Sequence, residues 1–119
     1  MSIIKSYKDL FIWQKSMLLV MNIYEITKVF PNSEIYGLTS QLRRSAISIP
    51  SNIAEGYGRK STNDYKRFLQ IAVGSLYELQ TQIEIAFNLK YLGEQKHQEI
   101  IDLSIEIDKM LYSIIQKIK

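Results

Sequence analysis

The sequence has no cysteine, a single histidine, two prolines and five glycines among 119 residues. Without cysteine, the chain forms no disulfide, thiolate metal site or cysteine nucleophile. This composition is typical of a reducing compartment, so we expect a cytoplasmic protein. The scarcity of proline and glycine, together with a hydrophobic content of 46%, indicates an ordered chain over most of its length.

Long apolar runs are also missing. No segment approaches the ~20 consecutive apolar residues that a membrane helix requires, and the first residues do not resemble a secretory signal. We therefore expect neither insertion into a membrane nor export. The length fits one domain spanning residues 1–119, because two domains would each have too small a core.

Few residues are suited to catalysis. With one histidine, the usual nucleophilic triads cannot be assembled. The four residues from Glu94 to His97 have the Glu-x-x-His spacing of di-metal bundles, but no second segment with this spacing exists. The run from Gly56 to Ser61 lacks the spacing of a phosphate-binding loop. The sequence therefore predicts no enzyme, no metal and no cofactor, with His97 as a surface residue.

Apolar residues recur at intervals of three and four, which is typical of amphipathic helices. This spacing predicts four helices, over about residues 8–29, 34–57, 62–92 and 94–118. Because their connections are short, the predicted fold is all-α, an antiparallel up-down-up-down four-helix bundle. The predicted inward positions are Leu10, Trp13, Met17, Val20 and Tyr24; Ile35, Leu38, Leu42, Ser45, Ile49 and Ile53; Tyr65, Phe68, Ala72, Leu76, Leu79, Ile83 and Ala86; and Ile100, Leu103, Ile107, Met110 or Leu111, Ile114 and Ile118.

Proline and glycine mark three positions inside or beside these helices. Pro50 removes a backbone hydrogen bond and its ring meets the carbonyl of Ala46, which predicts a kink in helix two; the alternative is two short helices. Gly74 costs helix propensity and is predicted to mark a close approach between helices. Gly93 is predicted to end helix three.

Helix four has more apolar residues than one core face requires. Ile101, Ile105, Tyr112 and Ile115 form a second strip beside the predicted inward residues. The strip indicates either a broad core face or a subunit interface.

Polar residues share one face of helix two. Arg44, Ser48, Asn52, Glu55 and Arg59 recur at intervals of 4, 4, 3 and 4. The face is either a solvated edge with an ion pair between Glu55 and Arg59, or a surface for assembly or for a partner.

The positive charge is unevenly distributed. The net charge of +3 comes from 15 Lys and Arg against 12 Asp and Glu, and residues 41–70 have six cations against two carboxylates. A phosphate backbone could bind there, with Tyr57 and Tyr65 as stacking groups. The predicted nucleic-acid-binding residues are Arg43, Arg44, Arg59, Lys60, Lys66 and Arg67.

Two runs carry a family resemblance: YGLTSQLRRSA over residues 36–46 and SIPSNIAEG over residues 48–56. They resemble the signature of four-helix-bundle proteins encoded in intervening sequences of bacterial 23S ribosomal RNA. Similar residues flank them, and the resemblance extends over about residues 7–93. The flanking residues are Leu10, Trp13, Gln14, Lys15, Phe30, Pro31, Phe68, Leu69, Ala72, Gly74, Ser75, Glu78, Leu79, Tyr91 and Leu92.

The resemblance implies a ring-like homo-oligomer, a pentamer, and no enzyme. It brings similarity to the accessory variability determinant proteins of diversity-generating retroelements, which bind nucleic acid and a reverse transcriptase. The polar positions carried over from the family are Arg43, Arg44, Asn52, Glu55 and Arg59, with either an assembly or a binding role. The leading hypothesis is a bundle that binds structured RNA or ribonucleoprotein through residues 41–70. The alternative is a structural or protein-interaction module that uses the helix-two polar face for assembly.

Overall fold

Four α-helices form the computed structural model, which describes residues 3–118. They are α1 (Phe11–Thr27), α2 (Leu38–Tyr57), α3 (Thr62–Asn88) and α4 (Glu94–Lys117), and no strand occurs among the described residues. Each helix packs against the helix before and after it, and α4 closes the bundle against α1. The predicted four-helix bundle is confirmed, and its long dimension is 43 Å.

The core follows the predicted inward positions closely in α3. Phe68, Ala72, Leu76, Leu79 and Ile83 are all buried, as is Ala86 one turn later. Between them lies the buried amide of Gln82, a polar residue that the apolar pattern does not identify.

The predicted inward stripe of α1 lies beside the true one. Val20 is buried and Leu10, Trp13 and Tyr24 pack at the edge of the core, but the prediction for Met17 is wrong because this residue is exposed. The other buried residues of the helix are Ile12, Ser16, Leu19, Ile23, Ile26 and Thr27. Apolar residues lie around most of this helix, so two adjacent stripes fit its period equally well. Ser16 belongs to the core because its hydroxyl donates to the carbonyl of Ile12 at 2.7 Å.

The first two helices begin later than predicted. A 3-10 turn over Tyr7–Asp9 precedes α1, and extended backbone at Leu10 separates the two. A second 3-10 turn, Asn32–Glu34, precedes α2, which begins only after a non-helical Gly37. Ile35 therefore lies outside the helix and is 53% exposed, instead of facing the core.

Pro50 lies inside α2, which is continuous from Leu38 to Tyr57. The alternative of two short helices is therefore wrong, while a kink near residues 46–50 stays a prediction. The proline is buried, so its ring packs inside the protein.

The close helix approach occurs at Gly56 and not at Gly74. A β-carbon at Gly56 would lie 2.8 Å from Cβ of Phe68, whereas one at Gly74 would have no atom within 4 Å. The spacing of residues along α3 cannot show this, because the approach depends on how α2 crosses α3.

The end of α3 also differs from the prediction. The helix stops at Asn88, and Lys90 takes the left-handed conformation with φ of 65°. The N–H groups of Lys90 and Tyr91 donate to the carbonyls of Phe87 and Ala86, the two bonds of a Schellman motif. Gly93 has an extended conformation and is the N-cap of α4.

The second apolar strip of α4 is only partly covered. Ile101 and Ile115 pack at the edge of the core, but Ile105 is 42% exposed and Tyr112 is 65% exposed. A broad core face therefore accounts for half of the strip. Within the described residues, no helix combines the length and the apolar character needed to cross a membrane.

Candidate functional site

The polar face predicted on α2 lies along its junction with α3, and part of it is used within the chain. The hydroxyls of Ser48 and Ser75 are 2.8 Å apart, which joins the two helices. The amide of Asn52 donates to the carbonyl and hydroxyl of Ser48 at 2.8 and 3.0 Å. Ser48 and Asn52 are thus half-buried residues with intramolecular partners, while Arg44, Glu55 and Arg59 remain exposed.

Ser45 is buried beside this face. The helical spacing predicts its inward position but not its hydrogen bonds. Oγ of Ser45 lies 2.8 Å from Oε1 of Glu78 and 2.9 Å from Oε1 of Gln82. It is also 3.0 Å from the carbonyl of Gln41. Because one hydroxyl has a single proton, these three acceptors share one donor. Ser45 therefore holds α2 to α3 through a compact polar network.

Arg44 lines the open polar groove beside this network. Its Nη2 donates to the hydroxyl of Ser40 at 3.2 Å, one turn earlier in α2. Among the described residues, no carboxylate comes within 4 Å of its guanidinium, although Glu78 lines the same groove. Arg44 therefore remains available to a partner at the middle of the bundle.

Arg43 is turned away from the other predicted binding residues, towards α1. Its Nε donates to the hydroxyl of Thr27 at 2.9 Å, and its Cζ lies 4.6 Å from the centre of the Tyr24 ring. The side chain is half-buried by these contacts. Arg43 thus links α2 to α1. Both Arg43 and Arg44 are near the start of α2, so the structure separates them from the four cations that follow its end.

Arg59 and Arg67 converge on one aromatic ring. The Cζ atom of each lies 4.7 Å from the centre of the Phe68 ring. Phe68 is buried, with 7% exposure, under the end of α2 where Gly56 leaves room for it. Arg67 and Phe68 are neighbours on α3, whose geometry directs adjacent side chains apart, but the long side chain of Arg67 turns back over the ring.

Two carboxylates form only weak ion pairs with these arginines. Nη2 of Arg59 is 3.7 Å from Glu55, and Nη2 of Arg67 is 3.9 Å from Asp64. These are long, solvent-exposed contacts between residues close in sequence, and pairs of this kind contribute little to stability. Both guanidiniums can therefore exchange these carboxylates for another anion.

Lys60 and Lys66 complete the basic residues of this region. Lys60 is exposed in the α2–α3 connection and Lys66 is half-buried in the first turns of α3. In the part of the chain that the structure describes, neither forms an ion pair. The nearby rings of Tyr57 and Tyr65 are half-buried, and burial raises the pKa of Tyr65, with a smaller effect from Tyr57.

Antiparallel packing gathers most of the excess positive charge at one end of the bundle. The α2–α3 connection lies beside the first and last described residues, and cations outnumber carboxylates there. We call this the basic end; it contains Lys5, Lys8, Arg59, Lys60, Lys66, Arg67 and Lys117, against Asp9, Glu55 and Asp64. At the other end the charges are nearly balanced, with Glu25, Glu34, Glu84, Glu94 and Glu99 against Lys28, Arg43, Lys90 and Lys96.

His97 is more enclosed than predicted. Its Nε2 lies 2.8 Å from Oε1 of Glu84, and its ring stacks on Phe87 with centres 4.1 Å apart. Only 15% of the side chain is exposed, because these contacts attach the start of α4 to α3. No group of three or more metal-ligating side chains occurs among residues 3–118.

Comparisons with known proteins agree with this fold. The chain matches the model of a family described as 23S rRNA-intervening sequence protein, over residues 8–113. It is similar to the crystal structure of a protein with unknown function from the S23 ribosomal protein family of Bacteroides thetaiotaomicron VPI-5482. That match has 27% sequence identity and a TM-score of 0.82, and covers 89% of this chain and 99% of the other. No curated protein matches the chain.

Proposed function

Because this chain belongs to the 23S rRNA-intervening sequence protein family, we propose that it is a non-enzymatic, cytoplasmic homo-oligomer that binds structured RNA or ribonucleoprotein. The basic end of the bundle supports the proposal. Arg59 and Arg67 lie together on Phe68, with Lys60 and Lys66 beside them. Clustered cations of this kind attract a phosphate backbone, whereas scattered cations would not.

The charges also define how strong such binding should be. Glu55 and Asp64 lie within the same cluster and offset part of its charge. The whole protein has a net charge of only +3. We therefore expect moderate affinity that falls steeply as salt is added, because the binding free energy comes largely from counterion release.

The proposed assembly rests on exposed apolar side chains. Ile105 and Tyr112 of α4 are uncovered, as are Ile71, Ile85 and Leu89 on the solvent side of α3. Covering such residues with further copies of the chain would remove apolar surface from water. The resemblance stated from the sequence suggests a pentamer, which we retain as the expected subunit number.

A second candidate function is a structural or protein-interaction module without RNA. Arg44 favours it, since its guanidinium lines a polar groove between α2 and α3 and has no carboxylate partner among the described residues. In this alternative, Arg44, Glu55 and Arg59 make subunit contacts. Ser48 and Asn52 contribute less, because their polar groups are already bonded within the chain.

Light scattering of the purified protein, with absorbance at 260 and 280 nm recorded at low and high salt, tests both proposals. We expect a salt-stable multiple of 13.9 kDa and co-eluting nucleic acid that high salt removes. A monomer would refute the assembly, and failure to bind an RNA hairpin at low salt would refute the binding function.

Replacing Arg44 and Arg59 with alanine separates the two candidates. RNA binding predicts an intact oligomer with weaker affinity for RNA, whereas the interaction module predicts dissociation. The matched control replaces Lys28 and Lys96, which form ion pairs at the opposite end. That control removes the same number of positive charges. The mass of the oligomer should not change, and RNA affinity should fall only by the amount that the lower net charge of the protein causes.

A further inference from the structure

We propose that the basic end binds the phosphodiester backbone of RNA and not the edges of its bases, with Arg59 and Arg67 as the principal contacts. This inference rests on the proposed function and specifies the chemistry of its site. The feature that carries it is the ring of Phe68, over which both guanidiniums lie with their Cζ atoms 4.7 Å from the ring centre.

Stacking prepares an arginine for a phosphate. A guanidinium has its N–H donors around its edge, so a ring against its face leaves those donors free. The donors match two oxygens of a phosphate in a bidentate contact. Since Phe68 is 7% exposed and packed beneath α2, it is a fixed support for both side chains. Less side-chain freedom is then lost when a phosphate binds.

The same arrangement disfavours recognition of bases. Base-stacking surfaces use exposed aromatic rings, but Phe68 is buried and both Tyr57 and Tyr65 are half-buried. Binding should therefore depend on the shape and charge of the RNA, and little on its sequence.

The contact is limited to one end of the bundle. Arg43 is engaged with Thr27 through its Nε–H and lies over the Tyr24 ring beside α1, so its guanidinium is held away from the basic end. Beyond Arg59 and Arg67, the cations placed to extend the contact are Lys60 and Lys66, with Lys5, Lys8 and Lys117 at the same end. An incoming phosphate displaces Glu55 and Asp64 from their long contacts with the arginines.

Salt titration of RNA affinity tests the inference. The probes are two fluorescent RNA hairpins of equal length and shape whose stems differ in sequence. Affinity is measured by polarisation for the wild type and for a double variant with Arg59→Gln and Arg67→Gln. Each lost phosphate contact should reduce the slope of log affinity against log salt by about 0.7 to 0.9. We expect the slope of the double variant to be shallower by about twice that value, equally for both hairpins.

Three further samples make the result specific. Arg43→Gln is the matched control and should keep the wild-type slope. Arg59→Lys with Arg67→Lys keeps the charge but loses bidentate geometry, so we expect a nearly unchanged slope with weaker binding. Circular dichroism of the Arg59 and Arg67 variants should match that of the wild type, since both arginines are exposed. The spectrum of Arg43→Gln is recorded to show that this control is folded.

The outcomes separate this inference from the function on which it rests. Absence of hairpin binding by the wild type at low salt would overturn the proposed function. Wild-type binding with an unchanged slope in the glutamine variant would overturn the inference alone, as would a tenfold preference for one stem sequence. If polyglutamate displaced the hairpin as well as unlabelled RNA does, the basic end would bind anions in general. That result would likewise overturn the phosphodiester assignment.

Discussion

The phenolic hydroxyl of Tyr91 donates a 2.8 Å hydrogen bond to Oε2 of Glu34, which joins the α3–α4 turn to the α1–α2 connection. Oε1 of the same carboxylate accepts the backbone N–H of Leu38 at 3.1 Å and so caps the start of α2. The Leu38 bond and then the Tyr91 bond lower the pKa of Glu34, while its carboxylate raises the pKa of Tyr91. The Tyr91 ring also packs on Phe30, with centres 5.4 Å apart.

Replacing Tyr91 with phenylalanine should lower the stability of the bundle at pH 7. The variant keeps the ring but leaves the Glu34 carboxylate without one of its two donors. The urea midpoint measures the loss. Tyr36→Phe is the matched control, because Tyr36 is 94% exposed and should tolerate the change. Equal midpoints for Tyr91→Phe and the wild type would contradict the assignment.

The Glu34 contacts predict a pH dependence of stability. Because folding lowers the pKa of Glu34, its contribution is present above the pKa of an unfolded glutamate, about 4.3. The contribution is lost as the pH falls through the lower, folded pKa. Urea midpoints of wild type and Tyr91→Phe should therefore converge as the pH is lowered from 7 to 3. A gap that stayed constant would show that the carboxylate is not involved.

Two glycine substitutions should have opposite effects. Gly56→Ala places a methyl group 2.8 Å from Cβ of Phe68, and overpacking of this kind costs about 1–3 kcal/mol. Gly74→Ala meets no atom within 4 Å and should stabilise α3 by up to about 1 kcal/mol through helix propensity. The midpoint of thermal unfolding of each variant measures these effects. A lower midpoint for Gly74→Ala would contradict the open space at Gly74 and indicate a close helix contact.

Removal of the Ser45 hydroxyl should lower the free energy of unfolding, although the change in side-chain volume is small. Ser45→Ala removes the one proton that Gln41, Glu78 and the buried Gln82 share, at about 1–3 kcal/mol. Ser51→Ala, on the exposed side of the same helix, is the control and should change stability little. The free energy of unfolding from urea titration measures both. Similar values for the two variants would mean that the polar network adds nothing.

Arg43 should behave as a structural residue. Arg43→Met removes the bond to Thr27 and the contact with the Tyr24 ring, so we expect a loss of about 1–2 kcal/mol in unfolding free energy. RNA affinity should remain near that of the wild type once the protein is folded. A large fall in affinity without a fall in stability would return Arg43 to the binding surface.

The sequence predicts the fold well where one face of a helix is clearly apolar. In α3 the buried residues Ala72, Leu76 and Leu79 follow a single stripe, so periodicity identifies them. In α1 apolar residues cover several faces, and the choice between Met17 and Ser16 depends on the neighbouring helices. The start of α2 depends on the backbone of Gly37 and on its cap by Glu34, which helical periodicity does not represent.

The candidate site is predicted less completely. Charge clustering identifies Arg59 and Arg67, because they are close in sequence to other cations. Their convergence on Phe68 requires the crossing of α2 over α3 at Gly56, a tertiary contact. The same reasoning groups Arg43 with Arg44, although adjacent residues of a helix point in different directions and Arg43 reaches α1.

The antiparallel order of the helices also determines how the molecule should be tethered. Ile3 and Ile4 line one groove with Phe11 and Ile114, and Ile118 packs at the edge of the core, so both described ends of the chain are at the basic end. An affinity tag, a dye or a solid support attached to either end would therefore stand in front of Arg59 and Lys60. The α1–α2 connection is at the opposite end of the bundle, whose long dimension is 43 Å. Attachment there would leave the surface around Arg59 and Lys60 facing the solution.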